Sequence, residues 1–141
     1  MTDRVRDACE ACFAAHENDC SGFVRAVGTQ LRIAIAGMAN DIVDTLQAGG
    51  AWTTLADGVE AADRAKQGAL VVAGLRGDEQ HDHSNHGHVV VVVDGPLAHG
   101  RYPSAYWGRL GGGGAEFQTI NWAWTVEDRD RVHYAEISIP P

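Results

Sequence analysis

A change in hydrophobic spacing near residue 68 constrains the fold of this chain more than any other sequence feature. Before it, apolar residues recur three and four positions apart, which is the spacing of amphipathic helices. After it come short apolar runs rich in β-branched residues, 69–75 and 88–93, which are typical of buried strands. Helices followed by strands predict an α+β class, with the N-terminal helices packed on a mainly antiparallel sheet.

The individual elements follow from the same spacing and from turn residues. Helices are predicted over about 2 or 3 to 15, 20–31, a segment from Met38 to Leu46 that ends at 49–50, and 58–66. Strands are predicted over 52–55, 69–75, 88–93, 104–107, 120–124 and 132–139, with a loop at 111–114 and a turn at 125–128. At 141 residues, we expect one domain that spans residues 1–141.

Charge and hydropathy exclude several kinds of partner. The net charge of −8 argues against nucleic acid and against an anionic membrane surface, since both attract basic proteins. No apolar run approaches the length that spans a bilayer, so membrane insertion is not expected. Residues 1–7 lack the apolar segment of a signal peptide. We therefore expect a cytosolic protein, or one that leaves the cell without a cleavable signal.

The chain has three cysteines, Cys9, Cys12 and Cys20, and an odd number is a poor disulfide framework. Cys9 and Cys12 have the spacing of a redox or metal pair, but no second metal pair accompanies them. They lie on an apolar stripe with Val5 and Phe13 at helical spacing. This pattern favours core packing for both side chains.

Cys20 differs from the other two because it opens a predicted helix. Asp19 before it is a typical N-cap residue, which places the thiol in the first helical turn. The positive end of the helix dipole is expected there to lower the pKa of the thiol. The small residues Ser21 and Gly22 leave room for a substrate. For Cys20 taken alone, the alternative is a buried structural cysteine.

A cysteine nucleophile needs a base within hydrogen-bond reach, and His88 is the candidate. It opens the most strand-like run of the chain and follows Gly87. A strand edge packed against the start of the Cys20 helix would hold the imidazole beside the thiol. For His88 taken alone, the alternative is a structural or solvent-facing histidine.

These motifs resemble a known family. The segment Asp19-Cys20-Ser21-Gly22-Phe23-Val24, followed much later by Gly87-His88-Val89, resembles the NlpC-type family of papain-like cell-wall peptidases. One branch, the type VI secretion amidase effectors, is more similar in order and spacing over nearly the whole chain. The further segments that carry this resemblance are 39–40, 42–44, 60–62, 67–68, 73–75, 95–97, 102–103 and 128–131.

The resemblance implies a papain-like NlpC-type fold, Cys20 as nucleophile, His88 as general base, and no cofactor. It implies cleavage of the γ-D-glutamyl–meso-diaminopimelate bond in peptidoglycan stem peptides. It also implies export through the type VI secretion machinery, action in the periplasm of target bacteria, and a cognate immunity protein. A third group that orients the histidine is expected on the next strand, which offers Ser104, Tyr106 or a main-chain carbonyl near Tyr106 or Trp107.

Two other functions remain open on sequence grounds. His81, His83 and His86 form a cluster with the spacing of zinc ligands, which indicates a zinc-dependent hydrolase or an exposed loop that binds metal adventitiously. A non-catalytic cell-wall binding module that keeps the same fold is the second alternative.

Overall fold

The structure, a computed structural model, describes residues 3–141. The elements within these residues are α1 (Arg4–His16), α2 (Cys20–Gln30), α3 (Ala39–Gln47), β1 (Thr53–Leu55), α4 (Gly58–Lys66), β2 (Leu70–Leu75), β3 (His88–Val92), β4 (Ser104–Trp107), β5 (Ala115–Thr119) and β6 (His133–Ile137). Short 3-10 helices lie at Gly77–Glu79 and Ile120–Trp122.

The strands form a six-stranded sheet in the order β1-β6-β2-β3-β4-β5, in which every pair of neighbours is antiparallel. The predicted α+β class with an antiparallel sheet is thus confirmed. β2 and β3 lie at the centre of the sheet and every residue in them is buried. Their sequences therefore read as continuous apolar runs, because both faces of the sheet are covered.

Each face of the sheet has its own core. Helices α1, α2 and α3 cover one face, where Val89 and Val91 of β3 pack. Helix α4 and residues 120–124 cover the other face, where Val90 and Val92 pack. Because side chains alternate along a strand, His88 lies on the second face with Val90. The imidazole and the apolar core of α2 are therefore on opposite sides of β3.

The predicted helices are confirmed to within one or two residues at each described end. Asp3, Asp19 and Asp57 cap α1, α2 and α4, and each side chain accepts a main-chain N–H three residues later. The suggestion that the first helix begins at Thr2 lies outside the described residues. None of the helices within residues 3–141 is long and apolar enough to cross a bilayer.

The predicted strand at 120–124 is wrong. This segment is a 3-10 helix followed by a turn, and its buried residues Ile120, Ala123 and Trp124 are three and four positions apart. The edge strand β5 just before it was not predicted. Its side chains alternate between half-buried and exposed, and its outward positions Glu116 and Gln118 remove the apolar signal of a strand.

The core-packing interpretation of the first two cysteines is confirmed. Cys9 is fully buried in the core beneath α1, and Cys12 is half-buried against the same core. Each cysteine in residues 3–141 is a free thiol. Burial raises the pKa of the Cys9 thiol well above its ordinary value, so this group stays protonated and apolar in character.

Candidate active site

The capping of α2 sets the position of Cys20. Asp19 Oδ1 accepts the main-chain N–H of Gly22 at 3.0 Å and the hydroxyl of Ser21 at 3.2 Å. Cys20 is therefore the first residue of the helix, as predicted. In this first turn the main-chain N–H groups of Cys20 and Ser21 have no acceptor within the helix. They lie next to the sulfur and can donate hydrogen bonds to a negatively charged oxygen of a bound substrate.

The start of β3 passes directly beside this turn. Cys20 Sγ lies 4.0 Å from the main-chain oxygen of Gly87, the residue that precedes His88. Gly87 itself packs closely against α3 and the end of β2, because a Cβ there would lie 2.6 Å from Asn40 Oδ1 and 2.8 Å from the carbonyl oxygen of Leu75. The glycine before the histidine is thus a packing requirement of the site.

Cys20 and His88 line one cleft of about 240 Å³. The other residues that line it are Gln80, His86, Gly87, Arg109, Leu110, Ala123, Trp124, Thr125 and Asp128. A smaller and more apolar depression of about 160 Å³, with Met38 and Ala39 in its wall, adjoins the cleft at Cys20 and Leu110. The two sequence-predicted residues therefore line the same cleft, although within residues 3–141 no hydrogen bond joins the thiol to the imidazole.

Two tryptophans enclose His88. Its ring packs edge-to-face against Trp124 at a centroid distance of 5.2 Å and against Trp107 at 6.4 Å. Burial, and to a smaller extent the nearby Arg109 guanidinium, lower the pKa of His88 from 6.5 to about 3. The imidazole is therefore neutral at neutral pH and able to accept a proton.

The pKa of Cys20 differs from the expectation. Burial raises the pKa of the Cys20 thiol; the main-chain hydrogen bond from Val89 opposes this effect, and the Asp19 carboxylate adds to it. The predicted lowering of this pKa by the helix dipole is wrong, because the cost of desolvating a thiolate outweighs the dipole. The raised pKa of Cys20 and the lowered pKa of His88 both favour a neutral thiol and a neutral imidazole over an ion pair.

The side chains suggested as a third group make other contacts. The hydroxyl of Ser104 donates to the carbonyl oxygen of Pro96 at 2.7 Å. The hydroxyl of Tyr106 donates to Glu10 at 3.1 Å and accepts from Arg6 at 3.2 Å. Among residues 3–141, no hydrogen-bond partner reaches the buried Nε2 of His88, whether from a side chain or from a main-chain carbonyl. The described contacts that position the imidazole are the edge-to-face packings against Trp107 and Trp124.

Two polar side chains that were not singled out fix the loop before Gly87. Asn40 Oδ1 accepts the main-chain N–H of Gly77 at 3.0 Å, and its Nδ2 donates to the carbonyl of Asn85 at 3.1 Å. The buried Asp128 accepts the main-chain N–H of His81 at 2.8 Å. Both residues belong to segments on which the family resemblance rests, and that was their only signal in the sequence.

The three histidines of the same loop do not form a metal site. His81, His83 and His86 are all exposed. Across residues 3–141, no three His, Cys, Asp or Glu side chains converge in a group able to hold a metal ion. The described residues thus do not supply the ligand set that a zinc-dependent hydrolase requires.

Comparison with known proteins bears on this site. No family model matches the chain. The peptidoglycan amidase Tse1 of Pseudomonas aeruginosa is 39% identical to this chain over 128 residues. The aligned region covers 88% of this chain and 78% of Tse1. The similarity thus extends over most of both proteins and is not confined to one motif.

Proposed function

This chain belongs to the family of the peptidoglycan amidase Tse1, the type VI secretion amidase effectors, and on that premise we propose that it hydrolyses the γ-D-glutamyl–meso-diaminopimelate bond of stem peptides. The enzyme is an amidase that acts on peptidoglycan. The observation that carries the finer proposal is the cleft that Cys20 and His88 share. A thiol at a helix start in one cleft with a neutral buried imidazole suits amide hydrolysis through a thioester.

The reaction begins from a neutral pair. Since burial disfavours both the thiolate and the imidazolium, His88 takes the proton of Cys20 as the sulfur attacks the scissile carbonyl. The carbonyl oxygen gains negative charge and accepts hydrogen bonds from the main-chain N–H groups of Cys20 and Ser21. One such donor typically stabilises the transition state by about 3 kcal/mol.

Breakdown of the tetrahedral intermediate releases the amine. The imidazolium of His88 donates its proton to the departing nitrogen, and the acyl group remains on Cys20 as a thioester. His88, neutral again, removes a proton from the attacking water. Hydrolysis then frees a carboxylate and restores the thiol. The adjoining depression beside Met38, which Cys20 also lines, gives the substrate a second, more apolar surface.

Membership of this family also suggests how the protein is exported and where it acts. We propose that residues 1–141 act as one amidase domain, which is exported through the type VI secretion machinery. The proposed site of action is the periplasm of target bacteria, and a cognate immunity protein protects the producing cell. The family premise and the cleft support this assignment over the binding-module alternative, because a binding module needs no thiol beside a buried base.

Digestion of purified peptidoglycan by single-residue variants tests the mechanism. Cys20→Ala removes the nucleophile, and His88→Asn removes the base, which typically contributes about 10²- to 10⁴-fold to the rate. Both variants should fail to release soluble fragments under conditions in which the wild-type protein does so. Cys12→Ala, which removes a half-buried thiol from α1, is the matched control and should remain active. Persistent digestion by folded Cys20→Ala would refute the cysteine mechanism.

A further inference from the structure

Arg109 brings a permanent positive charge into the cleft beside Cys20. Its main-chain N–H donates to the carbonyl of Glu17 at 3.0 Å, in the loop that leads into α2. Gly108 permits this contact, since a Cβ there would lie 2.1 Å from the carbonyl oxygen of His16 and 2.7 Å from that of Asp19. The backbone of Arg109 is therefore fixed to the same loop that positions the thiol.

The guanidinium reaches across the cleft. Arg109 Nη2 donates to the carbonyl oxygen of Ala123 at 2.8 Å, next to Trp124 on the opposite wall. A guanidinium has five N–H donors, so four remain for other partners. Hydrogen bonds thus hold both the main chain and the guanidinium of Arg109. Arg109 lines the same cleft as Cys20 and His88, and its remaining donors are available there.

Arg109 also lacks a counterion. Within residues 3–141, no carboxylate lies within ion-pair distance of its guanidinium, whereas Arg64, Arg76, Arg101 and Arg131 each pair with an aspartate or glutamate. Asp128, the acidic residue of the same cleft, is occupied by Arg131 and by the main-chain N–H of His81. An unpaired cation in a partly desolvated cleft favours the binding of an anion.

The substrate proposed above carries such anions close to the bond that is cut. A γ-linked D-glutamyl residue keeps its α-carboxylate, and the diaminopimelate on the other side of the amide keeps the carboxylate at the far end of its side chain. A planar guanidinium fork binds a carboxylate through two parallel hydrogen bonds. The field of Arg109 already reaches the reacting groups, since it contributes to the lowered pKa of His88.

We propose that Arg109 forms a carboxylate-binding subsite that selects stem peptides with an ionised carboxyl group next to the scissile amide. This inference rests on the proposed function, because it takes the γ-D-glutamyl–diaminopimelate amide as the bond that is cut. Amidation of that carboxyl group, which removes its charge and one acceptor oxygen, should make a peptide a poor substrate.

Three synthetic peptides that continue beyond diaminopimelate test the subsite: one with both carboxyl groups free, one amidated at the D-glutamyl α-carboxyl, and one amidated at the side-chain carboxyl of diaminopimelate. One of the two amidated peptides lacks the carboxylate that Arg109 binds. For that peptide, kcat/KM of the wild-type protein should be about 10- to 100-fold lower than for the peptide with free carboxyl groups. That comparison identifies which carboxylate Arg109 binds. In Arg109→Gln the preference should disappear, mainly through a higher KM for the free peptide, and Arg109→Lys should keep part of it.

Arg4→Gln is the matched control, because the Arg4 guanidinium also donates to a single main-chain carbonyl, that of Pro140, at 3.1 Å. It should leave the preference unchanged. Calorimetric binding of the three peptides to Cys20→Ala, with and without Arg109→Gln, measures recognition apart from chemistry and should show the same loss of preference.

Two results would overturn the subsite. One is equal cleavage of all three peptides by the wild-type protein. The other is a loss of kcat in Arg109→Gln by the same factor for every peptide, which would assign Arg109 to the oxyanion or to the architecture of the cleft. A wild-type protein that leaves the γ-D-glutamyl bond of every peptide intact would instead refute the proposed function, and this inference with it.

Discussion

His88 is expected to make the folded protein sensitive to mild acid. Its pKa is about 6.5 in an unfolded chain and about 3 in the folded protein. Between these values the unfolded chain binds a proton at His88 that the folded protein does not bind. The stability that depends on a neutral His88 is therefore fully present above pH 6.5, and it is lost progressively as the pH falls towards 3.

The size of this effect follows from the two pKa values. Between pH 7 and pH 5, His88 alone should lower the free energy of unfolding by about 2 kcal/mol. Urea titrations at both pH values, followed by tryptophan fluorescence, measure the change. His88→Asn cannot titrate and keeps all other ionisable groups, so the difference between the two proteins isolates the contribution of this imidazole.

The expected outcome is a loss between pH 7 and pH 5 that is about 2 kcal/mol larger in the wild-type protein than in His88→Asn. The variant is expected to be less stable at pH 7 as well, since the change removes packing against Trp107 and Trp124. Only the pH dependence bears on the reasoning. Equal losses in the two proteins would mean that His88 titrates normally when folded, and that the neutral resting pair is wrong.

Three further predictions concern the supports of the site and the core. Asn40→Ala leaves the N–H of Gly77 and the carbonyl of Asn85 without their partner, so hydrogen exchange at Gly77 should accelerate about 10-fold; unchanged protection would mean that other contacts hold the loop. Gly87→Ala should displace the start of β3 and lower peptidoglycan digestion at least about 10-fold, whereas full activity would show that the close approach is dispensable. Cys9→Ser buries a hydroxyl in an apolar core and should lower the free energy of unfolding in urea by about 1–3 kcal/mol. Cys12→Ser, at a half-buried thiol, should lower it less. Equal losses would argue against core packing of Cys9.

Much of the fold could be predicted because its signals are local. The aspartate caps of α1, α2 and α4 and the apolar runs of β2 and β3 each lie within a few consecutive residues. The segment 120–124 misled the prediction because a short buried stretch gives the same apolar signal whether it is helical or extended. β5 gave no signal because its outward face is polar.

For the candidate site, too, local features could be predicted from the sequence and long-range ones could not. Cys20 and His88 could be proposed as site residues from the sequence because each is the first residue of an element with a clear pattern. The raised pKa of Cys20 could not, because desolvation depends on every group packed around the sulfur and not on its helix alone. The enclosure of His88 by Trp107 and Trp124 likewise depends on contacts between segments distant in the chain.

Arg109, the residue proposed to recognise a substrate carboxylate, could not be predicted from the sequence either. In the sequence it is one arginine before a glycine-rich loop, with no pattern that separates it from the others. The role proposed for it rests on two long-range contacts, with Glu17 and Ala123, and on its lack of a carboxylate partner among the described residues. Properties that depend on where charges converge in space are accessible only once the fold is known.

The account depends most on which bond is cut and by which group. Mass spectrometry of the muropeptides left after digestion of purified peptidoglycan reads both directly, if wild-type protein and Cys20→Ala are compared. The account predicts fragments that end in D-glutamate and matching fragments that begin with meso-diaminopimelate, formed by the wild-type protein and absent with Cys20→Ala. Fragments cut at any other bond, or the same fragments from folded Cys20→Ala, would contradict it.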